Sequence, residues 1–426
     1  MNQQTRLFAI LTVLVATISI GLWGDAAQAQ SSNSIPQNTT AMGTFPDVND
    51  LPVRKEMPEV MTMNDGTRVT TVKQWHQRRE EMKQILEYYE LGHAPPPPGN
   101  VTGQDIKSLA LLDRTVKYRL VHLMFGPGEK LGFDIAIFTP AMGGPFPTII
   151  NPSFSSTPGV AVTNNPAVAV ANAATTNSSA RPGHGFSGSV TPEQAAQGFT
   201  NQLNRGYAAY PDYDWGVLRG WAWGLSRVVD YLETQPFADT NKLIALGHSR
   251  LGKLTMVATA FDERISLGAP AGSSGAGTGA YRFCGPGRGG KEGIEDMTRK
   301  FPYYFVPRLK EFTGQMEKLP FDAHWYIALT APRPWISAEG TDDPLCVPNA
   351  VKQSVQAAKP VYAFLGVSVD RVGVNYAPHR HGLTLDDWTA ALDFADQQLR
   401  GIKVERRFDQ FPPEAFSSTP EPPVAK

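Results

Sequence analysis

What this chain has little of narrows the field first. Two cysteines in 426 residues are too few for a disulfide-built scaffold, so the fold has to rest on a hydrophobic core. Neither charge is in excess, with 39 Lys and Arg against 40 Asp and Glu. A net charge of −1 leaves no surplus of cations to neutralise phosphates, which argues against nucleic acid or an anionic membrane as the main partner. Acidic disorder is excluded by the same balance. Beyond Trp23 no apolar run is long enough to cross a bilayer. The two cysteines have no metal-site spacing, and no motif supports a cysteine nucleophile. What is present is 41% hydrophobic residues, enough for one large core or two smaller ones, and 39 glycines with 35 prolines, an above-average share. Long, shaped loops on a regular scaffold are expected.

The N-terminus is set apart from the fold. Arg6 supplies a positive start, Leu7 to Trp23 an apolar stretch, and Ala27-Gln28-Ala29 a small-x-small cleavage site before Gln30. The pattern predicts a secretory signal peptide over 1–29, with a single membrane anchor as the alternative, then a polar linker over 30–45, one domain over 46–410 and a proline-rich, disordered tail over 411–426. The mature protein is then expected to be soluble, secreted or periplasmic, with no membrane partner after cleavage. Export makes a Cys284–Cys346 disulfide the expectation, since both cysteines sit in loop-like sequence; two buried thiols are the alternative.

Periodicity gives the architecture. Met82, Ile85, Leu86 and Tyr89 fall at helical spacing, Gly92 stops that helix, and the Pro95–Pro98 run follows as a stiff connector inside the domain. Alternation within 109–138 predicts antiparallel strands, and Pro145 to Ile150 a buried strand. The Gly/Ala/Ser/Thr/Asn-rich stretch from Ser153 to Thr200 reads as a long functional rim. From there strand and helix alternate. Val217, Trp221, Leu225, Val228 and Leu232 mark one helix face, Lys242 to Leu246 a strand, and Leu251 to Phe261 a helix. Pro334 to Ala338 and Pro360 to Leu365 are expected as strands, and Thr384 to Arg400 as a capped helix ended by Gly401. The fold class is α/β, a mostly parallel sheet covered by helices on both faces.

One junction carries chemistry: Leu243 to Leu246, then Gly247-His248-Ser249-Arg250-Leu251-Gly252-Lys253. A buried strand, a glycine-flanked turn with a serine at its apex and a helix make a nucleophile elbow, although the second glycine comes one residue later than usual. A serine needs a base and the base a carboxylate, in the chain order Ser, acid, His. After Ser249 the histidines are His324, His379 and His381. His324 precedes the candidate acids Glu339, Asp342 and Asp343, so its order is wrong, whereas His379 and His381 both lie just ahead of the last helix.

The run Trp221 to Arg227, Asp230 to Thr234 and the Gly247 to Lys253 motif resemble the glucuronoyl esterases, carbohydrate esterase family 15, most of all its bacterial branch. Trp75 with Arg78 and Arg79, Arg205 to Tyr207, Leu319 to Asp322, Ala331 to Pro334, His381-Gly382 and Asp387-Trp388 have counterparts there. The resemblance implies an α/β-hydrolase three-layer sandwich with Ser249 as nucleophile and His381 as base. It makes Arg250 a helper of the oxyanion hole and turns Lys253 toward the cleft to hold a sugar hydroxyl or the uronate. It implies no cofactor and no metal. His248 is expected only to pack beneath the elbow.

Departures from the family are as informative. The turn where many members carry a glutamate reads Ala271-Gly272-Ser273-Ser274-Gly275 here, with no acid. Some bacterial members take the carboxylate from a later strand-end turn, which points to Asp343, with Asp342 second and Glu339 third. Leu345 stands where a family tryptophan packs on the uronate. The two cysteines match the approximate positions of one family disulfide, while His248 replaces a member of another pair. The expected function is a two-step serine esterase acting on glucuronoxylan or a lignin–carbohydrate ester, as a monomer. The alternatives are an acetyl or other polysaccharide esterase with the same triad, and a non-catalytic carbohydrate-binding protein.

Overall fold

The computed structural model describes residues 14–19, 45–153, 206–285, 287 and 292–416. Most of the expected signal peptide and linker, nearly all of the Ser153–Thr200 stretch and the tail beyond Phe416 lie outside the described residues. The strands are β1 (Leu14–Ser19), β2 (Thr102–Leu111), β3 (Val116–Phe125), β4 (Leu131–Pro140), β5 (Phe146–Ser153), β6 (Ala238–His248), β7 (Leu267–Ala271), β8 (Trp335–Gly340) and β9 (Val372–Ala377). The helices are α1 (Val72–Leu86), α2 (Val217–Leu232), α3 (Arg250–Phe261), α4 (Ile294–Lys300), α5 (His324–Thr330), α6 (Pro348–Phe364) and α7 (Leu385–Arg400).

The chain forms two compact units, 1–42 with 93–243 and 43–92 with 244–426. One boundary follows Gly92, whose φ of +73° ends the last turn after α1, and precedes the Pro95–Pro98 connector. The other falls inside β6.

In the first unit β2, β3 and β4 form an antiparallel meander, as their alternation predicts. Val116, Tyr118, Val121, Leu123 and Phe125 bury one edge of the pattern in β3, and His122 pairs across to Asp134 at 2.6 Å. β1, inside the expected signal peptide, lies antiparallel to β4 and parallel to β5, with Ala16 opposite both Ile137 and Ile150. α2 buries the five residues of its predicted face. Arg227 stays inside by stacking over Trp223 (4.4 Å) and bonding Asp230 (2.6 Å), and the Trp223 indole N–H donates to Pro95 O at 2.7 Å.

In the second unit the end of β6 and β7, β8 and β9 run parallel, pairing Leu246 with Ala269, Ala271 with Ala338, and Gly340 with Ala377. α1 starts on a capping box of Thr71 and Gln74 and buries Trp75, Met82, Ile85 and Leu86. α7 starts on the Thr384–Asp387 capping box and ends at left-handed Gly401, both as read from sequence. Pro360 to Leu365, expected as a strand, is instead the end of α6. Val351, Val355, Ala358 and Tyr362 continue one buried face through the proline, and Gly366 at φ +72° follows the helix end. The strand at this point of the alternation is β9. Residues 411–416, expected to begin a disordered tail, carry a 3₁₀ turn (Pro413–Phe416) with Ala415 fully buried and its carbonyl accepting from Lys352 at 3.3 Å. Among the described residues no helix is long and apolar enough to cross a membrane.

Candidate active site

Everything described below lies in the second unit. Ser249 is the single residue between β6 and α3, at φ +59° and ψ −125°. Its N–H donates to Ala271 O (2.8 Å) and its carbonyl accepts from the N–H groups of Gly252 (2.9 Å) and Lys253 (3.1 Å). The two glycines of the motif are demanded by close approach. A Cβ on Gly247 would stand 2.4 Å from Leu251 O, and one on Gly252 1.9 Å from Ser273 Oγ. The second glycine therefore serves packing of α3 against the turn after β7, which explains why it tolerates a shifted position.

His381 reaches the serine from the loop ahead of α7, with Nε2 2.9 Å from Ser249 Oγ. Its Nδ1 is 2.7 Å from Asp343 Oδ2, on the turn after β8. A carboxylate at Nδ1 fixes the proton there and leaves Nε2 as the acceptor for the serine O–H. Asp343 itself has a side chain only 2% exposed and takes a second hydrogen bond from Leu345 N–H at 2.9 Å. Burial pushes its carboxyl up, but the bonds from His381 and Leu345 and the adjacent imidazoles outweigh this and hold it below the ordinary aspartate range. The Leu345 loop is fastened in turn by the Ser274 hydroxyl, which donates to Leu345 O.

The other candidates go elsewhere. Asp342 is exposed. Glu339 is buried beneath the turn, accepts from Thr278 (2.8 Å) and Ser337, and is pushed up to about 7 by burial. His379 sits on Asp387 (3.2 Å), and its Nδ1–H donates to Arg380 O at 2.7 Å. His324 is buried on Pro58 O at 2.7 Å, and burial draws its pKa down to about 4.

Lys253 departs from the expected outward role. It is 3% exposed, and its ammonium donates to Ser273 O, Gly275 O (2.6 Å) and Glu292 (2.8 Å). An ammonium has three donors, so all are committed inside the protein. Glu292 was not signalled by any spacing in the sequence. Arg250 opens α3, where the first N–H groups of a helix have no partner within it, and its guanidinium carbon stands 5.5 Å from the Phe301 ring centre.

The expected disulfide is absent, and Cys284 and Cys346 are both thiols. Cys284 packs with Val347, Ala350 and Phe283. Cys346 is pushed well above the usual thiol range by burial and by the negative charge of Glu339, with which it shares a hydrogen bond. Among the described residues no group of three or more His, Cys, Asp or Glu could hold a metal ion.

A family model described as glucuronyl esterase, fungi, matches residues 125–366. A carbohydrate esterase from an unknown prokaryotic organism is 28% identical over 400 residues, covering 81% of this chain and 90% of that one. A 4-O-methyl-glucuronoyl methylesterase of Hypocrea jecorina is 30% identical over 334 residues, covering 76% and 66%. Among solved structures, a promiscuous family 15 esterase from a marine bacterial metagenome superposes with a TM-score of 0.65 at 26% identity, covering 83% of this chain and 99% of that one.

Proposed function

Because the chain belongs to the glucuronyl esterase family, we propose that it is an exported serine esterase that hydrolyses glucuronoyl esters, the uronic acid being borne on xylan and the leaving group an alcohol such as a lignin alcohol or methanol. One observation carries this reading: Ser249 Oγ, His381 and Asp343 form an unbroken relay of 2.9 and 2.7 Å at the end of a parallel sheet.

The chemistry runs in two steps. Ser249 Oγ attacks the ester carbonyl carbon while its proton moves to His381 Nε2, and Asp343 stabilises the imidazolium through Nδ1–H. The carbonyl oxygen becomes an oxyanion beside the N–H of Arg250 at the start of α3, where the helix dipole and backbone donors favour negative charge. Collapse expels the alkoxide, which takes the proton from Nε2 and leaves as an alcohol. Water then attacks the acyl-enzyme, giving its proton to His381, and the uronic acid departs as Ser249 recovers its proton. Lys253 enters none of these steps; it holds the turn that backs the elbow.

Ser249→Ala tests the reading. Hydrolysis of a methyl glucuronate ester is expected to vanish with the melting temperature nearly unchanged, and a serine-directed phosphonate is expected to label the parent at Ser249 only. Retained turnover removes the nucleophile. Since Leu345 stands in the place of the family's tryptophan, the rates on a methyl glucuronate and on an acetyl ester are read side by side. A preference for acetyl transfers the substrate class while leaving the triad in place.

A further inference from the structure

A second imidazole lies against the one that carries the proton, and the chemistry above gives it no task. His248 is the last residue of β6. Its ring centre is 4.5 Å from that of His381, with the planes inclined at 49°. Its Nε2 is buried and has no hydrogen-bond partner. On that side lies Gly272, at φ +51°, where a Cβ would stand 2.9 Å from His248 Nε2. The backbone has been brought close enough to wedge the ring between Gly272 and His381.

An aliphatic side chain would fill this slot without leaving a buried nitrogen unpaired, but it would not present a flat face to His381. His381 rides on a loop, with its side chain 30% exposed. Asp343 holds Nδ1, and a rotation of the ring about that hydrogen bond would break the bond from Nε2 to Ser249. A surface against the ring face removes that freedom. The charged and titratable groups around His248 are His381 and His379 from one loop, Asp343 from another and Lys253 from α3. Burial, then repulsion by His381, draws His248 down to about 3, so it stays uncharged while its neighbour carries the proton. A neutral aromatic face beside a cation is favourable, whereas a second cation there would oppose the proton transfer.

We propose that His248 is a positioning residue, whose ring is the surface that holds the His381 imidazole aligned between Asp343 and Ser249. The proposal rests on the triad reading. It is tested in the full chain with His248→Ala and His248→Phe, scored by kcat and KM on a methyl glucuronate ester, by the rate of phosphonate labelling at Ser249, and by melting temperature.

His248→Ala is expected to lower kcat and the labelling rate together by roughly 10- to 100-fold, the scale of a small misplacement of a catalytic group, with KM little changed. His248→Phe is expected to recover most of both rates, because it restores a planar ring without a nitrogen. Parent rates in His248→Ala overturn the proposal. So does a loss equal in both variants, or one that follows melting temperature rather than ring planarity. Ser249→Ala is run beside them: turnover there brings down the triad reading, whereas a dead Ser249→Ala next to a fully active His248→Ala removes only the role of His248.

Discussion

Ser249 holds a backbone conformation that costs a residue with a Cβ about 1 to 3 kcal/mol, and the surroundings fix it there through Ala271 O and the first turn of α3. That strain lifts the hydroxyl off the strand end toward His381. The partner that fixes the imidazole is Asp343, and Asp343→Asn is the sharpest single test of its role. An amide cannot hold the Nδ1–H tautomer, so kcat is expected to fall by about 10³- to 10⁴-fold, with Asp342→Asn having little effect. The reverse ranking of the two variants transfers the role to Asp342. The order of serine, acid and histidine was legible because it follows chain direction. The choice between Asp342 and Asp343 was not, since neighbouring residues in a turn point apart, and which one faces inward shows only in three dimensions, where Asp343 meets His381 and the Leu345 N–H while Asp342 is exposed. The partners of Lys253 were hidden for a related reason. Helical spacing places it on the serine's side of α3, but not which groups meet it there, and Ser273, Gly275 and Glu292 come from distant parts of the chain.

At the scale of elements, Lys253 ties α3 to the loop after β7. Lys253→Met would leave two carbonyls and the Glu292 carboxylate without their shared cation. Breaking one side of such a buried pair costs about 3 to 5 kcal/mol, so thermal unfolding is expected to fall steeply, with phosphonate labelling of the folded fraction surviving. A Met variant that melts like the parent and loses only KM would return Lys253 to the substrate. A second buried group joins other elements: Glu90, on the turn after α1, accepts from Tyr281 (2.7 Å) and Tyr326 (2.5 Å). Burial raises it from 4.5 to about 7. Across that window the unfolded chain has lost its proton while the folded chain keeps it, so stability falls as pH rises from about 4.5 to 7 and this contribution is gone above it. Glu90→Gln should flatten the fall in a series of melting curves; an unchanged slope excludes Glu90 as its source. Helix faces such as that of α2 were legible from apolar spacing. The end of α6 was not, because Val361 to Leu365 has the β-branched and aromatic composition of a strand and follows a proline, while the contacts that keep it helical, such as Tyr362 to Arg333 O at 2.9 Å, are remote in sequence.

At the scale of the whole molecule, alternation of strand and helix gave the α/β class, since each parallel connection needs a covering helix. Of the division into two units, the boundary at Gly92 is marked in sequence by the Pro95–Pro98 run, whereas the one inside β6 is not, because the apolar run continues across it. The N-terminus poses the remaining question. Its sequence has the three parts of a cleaved signal, yet Leu14–Ser19 pairs with β4 and β5 of the first unit. Ser249, Asp343 and His381 all lie in the second unit, after residue 243, and so do the elements that carry them except the first half of β6. A chain beginning at Gln30 therefore loses one strand of the first unit and none of the reacting groups. Residues 30–426 are expected to be labelled by the phosphonate at Ser249 and to hydrolyse a small methyl ester with a kcat within a few-fold of the full chain, whatever the change in melting temperature. N-terminal sequencing of the exported protein is expected to begin at Gln30. If that chain cannot be labelled while the full chain can, β1 belongs to the working enzyme and the segment is not a leader to be discarded.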